Sequence, residues 1–294
     1  MKSLLKILKS RNIQRLHYIL GRFLLVRRSY SLLNFINDKL NPKQRKLKIC
    51  DNYEQNYKSI NNYTTGSILT DVSSDQHVQS ISKSSYSTDL RLSSALLTEL
   101  LSAATTLPLV IKGHTNTFTL QELKSNGMDL RVTLATVFNS SDLKSIQKIA
   151  ADQEILEVVT AYLGFQPKEV SSWLFWSFVN NTSPLQREAN GQTVHFHYDV
   201  HGYNFMYVNF YLLDTDANNG AHTLISGSHC QKKLAHLLGS ACLSDEAAVR
   251  FYGEDRVTVI SGKAGTGFFE DTSCFHKALP PQQGDRLMLQ LRYS

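Results

Sequence analysis

The stretch VHFHYDV at residues 194–200, followed by MYVNFYLL at 206–213, decides how this chain is read. Both runs are short, aromatic and β-branched, and turn residues separate them, which is the texture of strands. The same texture extends outward to residues 173–178, 223–225, 257–260, 267–270 and 287–293. Upstream the periodicity is helical. Leu96, Leu97, Leu100 and Leu101 predict a helix that ends before Pro108. Residues 141–164 predict one or two more, with a stripe of Leu143, Ile146, Ile149, Ile155, Leu156, Val159 and Leu163 stopped by Gly164. Helices followed by a run of strands predict an α+β chain whose C-terminal core is a β-sandwich or barrel.

With 294 residues, 42% hydrophobic and 19% charged, the chain can bury a full core and is too mixed to be disordered. Cys50, Cys230, Cys242 and Cys274 form no CxxC pair and no framework spacing, which predicts free thiols in a reducing, cytoplasmic setting. The charge is unevenly placed. Residues 1–48 hold 13 Lys/Arg against the single acid Asp38, a net +12, and the remainder carries −6. A nucleic-acid enzyme is expected to gather its basic residues around its working site, and here they sit in a terminal arm, so no nucleic-acid partner is expected.

In that arm Leu5, Leu8, Leu16, Leu20, Phe23 and Leu24 recur at helical spacing among Lys2, Lys6, Lys9, Arg11, Arg15 and Arg22, predicting a basic amphipathic helix. Its longest apolar run, residues 23–26, is far short of the roughly 20 residues a spanning helix needs. Three roles remain open: a helix docked on the body, peripheral contact with a membrane surface, or an organelle transit peptide. Residues 49–92 are rich in Ser, Asn, Tyr, Thr and Asp without periodicity and are expected to be irregular linker, leaving 93–294 as the folded domain.

Within the strand-rich half, His197-Tyr198-Asp199 is the informative unit. Alternation along a strand points His197 and Asp199 the same way, able to share a metal ion, while Tyr198 packs on the other face. A third ligand must come from elsewhere, and His276, 77 residues beyond Asp199, is the best candidate. Two histidines and one carboxylate on one face of an octahedral ion leave three positions open, the arrangement of non-haem Fe(II) oxygenases. Two of these suit a chelating 2-oxo acid and the third suits O2. Arg286 offers a permanently charged fork for a distal carboxylate.

From about residue 150 to the end, the chain resembles the phytanoyl-CoA dioxygenase-like family of Fe(II)/2-oxoglutarate oxygenases. The likeness rests on Tyr162-Leu-Gly164, the HxD at 197–199, DANNG at 216–220, SGSH at 226–229, and the segment from His276 to Arg286. It implies a double-stranded β-helix, or jelly-roll, cupin-like core with N-terminal helices packed around it. It further implies His197, Asp199 and His276 as iron ligands, Arg286 on the far carboxylate of 2-oxoglutarate, and Asn209 as a co-substrate contact. The implied reaction is hydroxylation of a small organic or lipid-like substrate with release of succinate and CO2, with ascorbate as a supporting reductant. Ser226 stands where relatives usually have Pro, which bears on a turn. A jelly-roll binding or scaffold protein without turnover is the rival reading.

Other residues have plainer expectations. His195 could form an HxH pair with His197 but is more simply a packed histidine. His229 is expected to tie down the turn at 226–228. Trp173, Trp176 and Phe178 are expected in the core or on a pocket wall. Residues 262–267 lack the order of a phosphate loop and are expected to be a glycine hairpin, and Cys274 a buried, inert thiol.

Overall fold

The structure is a computed structural model and describes residues 16–40, 47–51, 57–60, 62–130, 132–189 and 194–294. Nine strands position the site: β1 (Tyr86–Leu92), β2 (Glu169–Ser177), β3 (Phe196–His197), β4 (Met206–Tyr211), β5 (His222–Ile225), β6 (Val257–Ile260), β7 (Thr266–Glu270), β8 (His276–Ala278) and β9 (Arg286–Tyr293). The large sheet runs β1-β7-β4-β9-β2 and continues past β2 through Leu134–Val137, Leu109–Val110 and Thr117–Phe118. The small sheet runs from Cys242–Leu243 through β3, β8 and β5 to β6. From β2 onward the chain passes repeatedly between the two sheets, and neighbouring strands of this series pair antiparallel.

Alternation along the strands builds two cores on the large sheet. Leu287, Leu289, Leu291 and Tyr293 of β9 face the helices with Val208, Phe210, Leu174 and Trp176. Met288 faces the small sheet with Phe175, Tyr211, Phe268 and Leu224. A strand buried on both faces reads as nearly continuous apolar sequence, which is why β4 and β9 are conspicuous.

Five helices carry the argument: α1 (Leu24–Leu40), α2 (Ser74–Ser84), α3 (Ser94–Thr106), α4 (Lys144–Ala150) and α5 (Gln153–Leu163). Helix α5 ends at Gly164 with φ 77°, the left-handed stop the sequence predicts. Residues 49–92 depart from the expected irregular linker. They contain α2, with a Ser73/Gln76 capping box, and β1, which pairs in the large sheet with Ile68–Leu69 on one side and β7 on the other. Helix α2 buries only His77 and Ile81, so its apolar stripe is too narrow to show as periodicity. Lys48–Asp51 also joins the large sheet, parallel to β2. The glycine segment at 262–267 is a crossover and not a hairpin, because β6 and β7, which it joins, lie in different sheets. Gly262 and Thr215 close it with reciprocal backbone hydrogen bonds of 2.9 and 2.8 Å.

The arm meets the body through polar contacts and through Tyr30, which packs on the core edge-on to Phe165. Leu5 and Leu8 lie outside the described residues, and Leu16 is 53% exposed. The contacts run instead through Gly21, where a Cβ would lie 2.5 Å from the Gly202 carbonyl oxygen, and through Arg22 and Arg27.

Candidate metal centre

Strand β3 stops at His197, so Asp199 lies just beyond the strand and not within it as expected. Its position is fixed by its own N–H, which donates to the Thr272 carbonyl at 2.8 Å. Tyr198 faces the other way, donating its hydroxyl to the His236 carbonyl at 2.8 Å and packing edge-on against Phe275. His276 on β8 stands opposite His197 in the small sheet, with ring centroids 4.4 Å apart.

His197, Asp199 and His276 therefore converge. His197 Nε2 lies 3.9 Å from Asp199 Oδ1, and His276 Nε2 lies 3.8 Å from Asp199 Oδ2. The ring orientations are set locally: Nδ1 of His197 donates to the His195 carbonyl at 3.2 Å, and Nδ1 of His276 to the Cys274 carbonyl at 3.1 Å. A carbonyl can only accept, so each Nδ1 carries a proton, and in the neutral ring Nε2 is left with its lone pair. This is the tautomer a metal ligand needs. Burial, then the neighbouring His276, pulls the His197 pKa down to about 4, so at neutral pH that ring is uncharged and can ligate. Bonds of roughly 2.1 Å place adjacent ligand atoms about 3 Å apart, and the three groups present ligand atoms within 4.8 Å of one another. The donor set fits a divalent metal.

His195, by contrast, is exposed and outside this group; what it contributes is its carbonyl. Lys277 points away on the opposite face of β8, its ammonium on Asp245 and over the Phe196 ring at 4.7 Å. Arg292 faces the space between the sheets, bonded to Ser171 at 3.1 Å with its Nε unpartnered.

Arg286 begins β9, is 3% exposed, and donates to the Gly220 carbonyl and to Ser177 Oγ at 3.0 Å, leaving its Nε without a partner. The DANNG segment explains the first bond. Asp216 caps the turn through the Asn218 and Asn219 N–H groups, and Gly220 follows at φ 87°, turning its carbonyl onto the guanidinium. A Cβ on Gly220 would sit 2.9 Å from the Leu279 carbonyl oxygen. Gly220→Ala is therefore expected to lower unfolding stability by at least about 1–2 kcal/mol, measured by denaturant titration. Ser226 donates its N–H to the Arg256 carbonyl at 2.8 Å, a bond that a proline at this position could not make.

Two residues that the motifs do not single out lie beside the cluster. Glu270 is fully buried at the end of β7 and accepts from His222 Nε2 at 2.8 Å, and the His222 ring stacks on His276 at 5.3 Å. Burial alone would raise the Glu270 pKa, but His222 and then His276 overcome it and hold the carboxyl below its ordinary value. Asn209 is also fully buried, with its amide between Glu270 at 3.4 Å and Gln290 at 3.0 Å. Cys274 lies 3.6 Å from Glu270, and burial together with that carboxylate pushes its thiol well above the ordinary value, which keeps it unreactive. His229 is buried as expected, but its Nδ1 is bonded to Ser85 at the end of α2, whose hydroxyl also accepts from Gly227. Trp176 and Phe178 lie in the helix-facing core, and Trp173 stacks on Phe175 on the opposite face.

Beneath the centre runs a second buried network. Asp271 accepts from Arg27 of α1 at 2.9 Å, from Tyr162 of α5 at 2.6 Å and from the Ser273 N–H at 2.9 Å. It holds the turn whose Thr272 carbonyl receives Asp199.

No family model matches the chain, and no curated protein does. Among solved structures, the chain is similar to the non-heme alpha-ketoglutarate-dependent epimerase SnoN from nogalamycin biosynthesis, at TM-score 0.50 and 16% identity over 75% of this chain and 82% of that one. It is also similar to HygX from Streptomyces hygroscopicus, solved with nickel, 2-oxoglutarate and hygromycin B, at TM-score 0.49 and 12% identity over 74% and 86%. At these identities the likeness is one of fold.

Proposed function

We propose that the chain is an Fe(II)/2-oxoglutarate-dependent oxygenase built on a double-stranded β-helix, acting on a small organic substrate, with His197, Asp199 and His276 as the metal ligands. The observation that carries this is the convergence of the two histidine Nε2 atoms on one carboxylate, each ring oriented by a backbone carbonyl. The strand order, with the chain from β2 onward passing repeatedly between two sheets and its neighbouring strands pairing antiparallel, supports the fold assignment. When bound, iron and 2-oxoglutarate supply oxidation of an unactivated C–H bond with O2, releasing succinate and CO2.

The chain's own part is positioning. Arg286 is buried, with Phe175 under its guanidinium at 5.6 Å and its spare Nε–H available to a carboxylate. Burial strengthens any charge pair formed there. Asn209, Glu270 and His222 brace one another beside His276 and limit where a ligand can lie. The four free cysteines fit a reducing compartment, and we place the protein in the cytoplasm, with ascorbate as reductant.

The test is succinate release from 2-oxoglutarate with Fe(II) and ascorbate over a metabolite panel, with mass spectrometry for an added oxygen. Stoichiometric metal binding without succinate from any substrate would favour a binding or scaffold protein. Arg286→Ala is expected to raise the 2-oxoglutarate KM by roughly 30-fold or more, equivalent to about 2–5 kcal/mol for a lost buried charge pair, with Fe(II) affinity little changed. An unchanged KM would move the role to Arg292, which shares the inter-sheet space, and not to Lys277, which does not.

A further inference from the structure

Helix α1 is amphipathic in the inverted sense. Its polar side is the docked side: Arg27 is buried on Asp271, Ser31 accepts from Asn204 at 2.9 Å, and Asn34 accepts from Lys168 at 2.8 Å. On the opposite side Leu25, Leu32, Leu33, Ile36 and Leu40 are 77, 59, 66, 45 and 74% exposed. At 100° per residue these five fall on one stripe about two to four turns long. A soluble protein ordinarily turns such a stripe inward.

We propose that this stripe is a membrane-docking surface that lies in the interface of an anionic bilayer. The occupant is argued from charge. Exposed Arg28 and Lys39 border the stripe, and residues 1–48 carry a net +12. Anionic headgroups satisfy that charge, whereas a second copy of the chain meeting the stripe across a two-fold axis would bring two such arms together. No helix among the described residues is long and apolar enough to cross a membrane, so the helix lies along the surface. Arg27, on the docked side, ties the lipid-facing helix to the turn that positions Asp199.

The test is co-sedimentation of the full-length chain with vesicles of phosphatidylcholine containing about one quarter phosphatidylserine, compared with phosphatidylcholine alone. The wild type is expected to pellet with the anionic vesicles at about 50 mM salt and to be released at about 500 mM. Leu32→Glu/Leu33→Glu is expected to lower the partition coefficient at least about tenfold while leaving the thermal midpoint unchanged, because both side chains are exposed. If that variant loses its fold, Leu40→Glu, at the helix end, replaces it. Arg28→Glu/Lys39→Glu is expected to weaken binding to anionic vesicles only. A wild type that stays in the supernatant, or glutamate variants that bind as well as wild type, would overturn the proposal. So would a wild-type dimer in sedimentation velocity that the Leu32→Glu/Leu33→Glu substitutions dissociate, which would assign the face to self-association.

Discussion

Asp199→Ala and His276→Ala are each expected to lower Fe(II) affinity by more than about 100-fold and to reduce succinate release to background, since even residues that merely orient a ligand contribute 10- to 100-fold. The reason is geometric. The Asp199 carboxylate lies within 4 Å of both Nε2 atoms, so removing it leaves two imidazoles and a site short of negative charge for a divalent ion. His276 is 8% exposed, so its alanine variant also opens a cavity, and His276→Gln separates lost ligation from lost packing. Equilibrium dialysis against Fe(II) under anaerobic conditions, with circular dichroism to show retained structure, checks both. His195→Ala is the matched control and is expected to bind iron normally. Loss of iron binding in His195→Ala with retention in His197→Ala would move the site to the other face of β3.

Arg27→Ala is expected to be the most destabilising single substitution in the arm, at about 3–5 kcal/mol, because it strands a buried carboxylate. Arg27 and Asp271 side chains are 5% and 1% exposed, and their contact at 2.9 Å spans the arm and the β7–β8 turn. Burial alone would raise the Asp271 pKa, but Arg27 and the Tyr162 hydroxyl hold its carboxyl well below the ordinary range. The sign of the pH effect follows. A depressed folded-state pKa contributes stability that is present above the ordinary carboxylate value of about 4 and lost as pH falls through the lower folded value. In Arg27→Ala the carboxylate loses its directly bonded counter-charge, so protonating it relieves the strain. The stability gap between wild type and variant is therefore expected to be widest near neutral pH and to narrow below about pH 4, measured by denaturant titration across pH. Arg27→Met/Asp271→Leu, which removes both charges, is expected to lose much less than Arg27→Ala alone. A gap of under 1 kcal/mol in Arg27→Ala, or one that widens in acid, would contradict the assignment.

The candidate ligands are legible because metal chemistry restricts residue type and strand alternation restricts spacing, so His197 and Asp199 pair from the sequence alone. Their relation to His276 depends on sheet register, which brings β3 and β8 side by side across 79 residues of sequence and has no local signature. Glu270, His222 and Asp271 escaped for a related reason. An acidic pair at the end of a strand reads as a solvated turn, and only tertiary packing shows both carboxylates at 0 and 1% exposure. The arm shows the limit of helical periodicity: the stripe read over residues 5–24 is not the exposed stripe of α1, and the usual inference that an apolar side packs inward fails where a buried Arg27 anchors the opposite side.

The central claim is a mononuclear iron centre made by His197, Asp199 and His276, and anaerobic Fe(II) dialysis of the wild-type chain, followed by 2-oxoglutarate turnover of the loaded protein, tests it most directly. One iron per chain and succinate formation that requires both iron and 2-oxoglutarate are the predicted result. Substoichiometric iron, or equal iron bound by a chain lacking all three side chains, would contradict it.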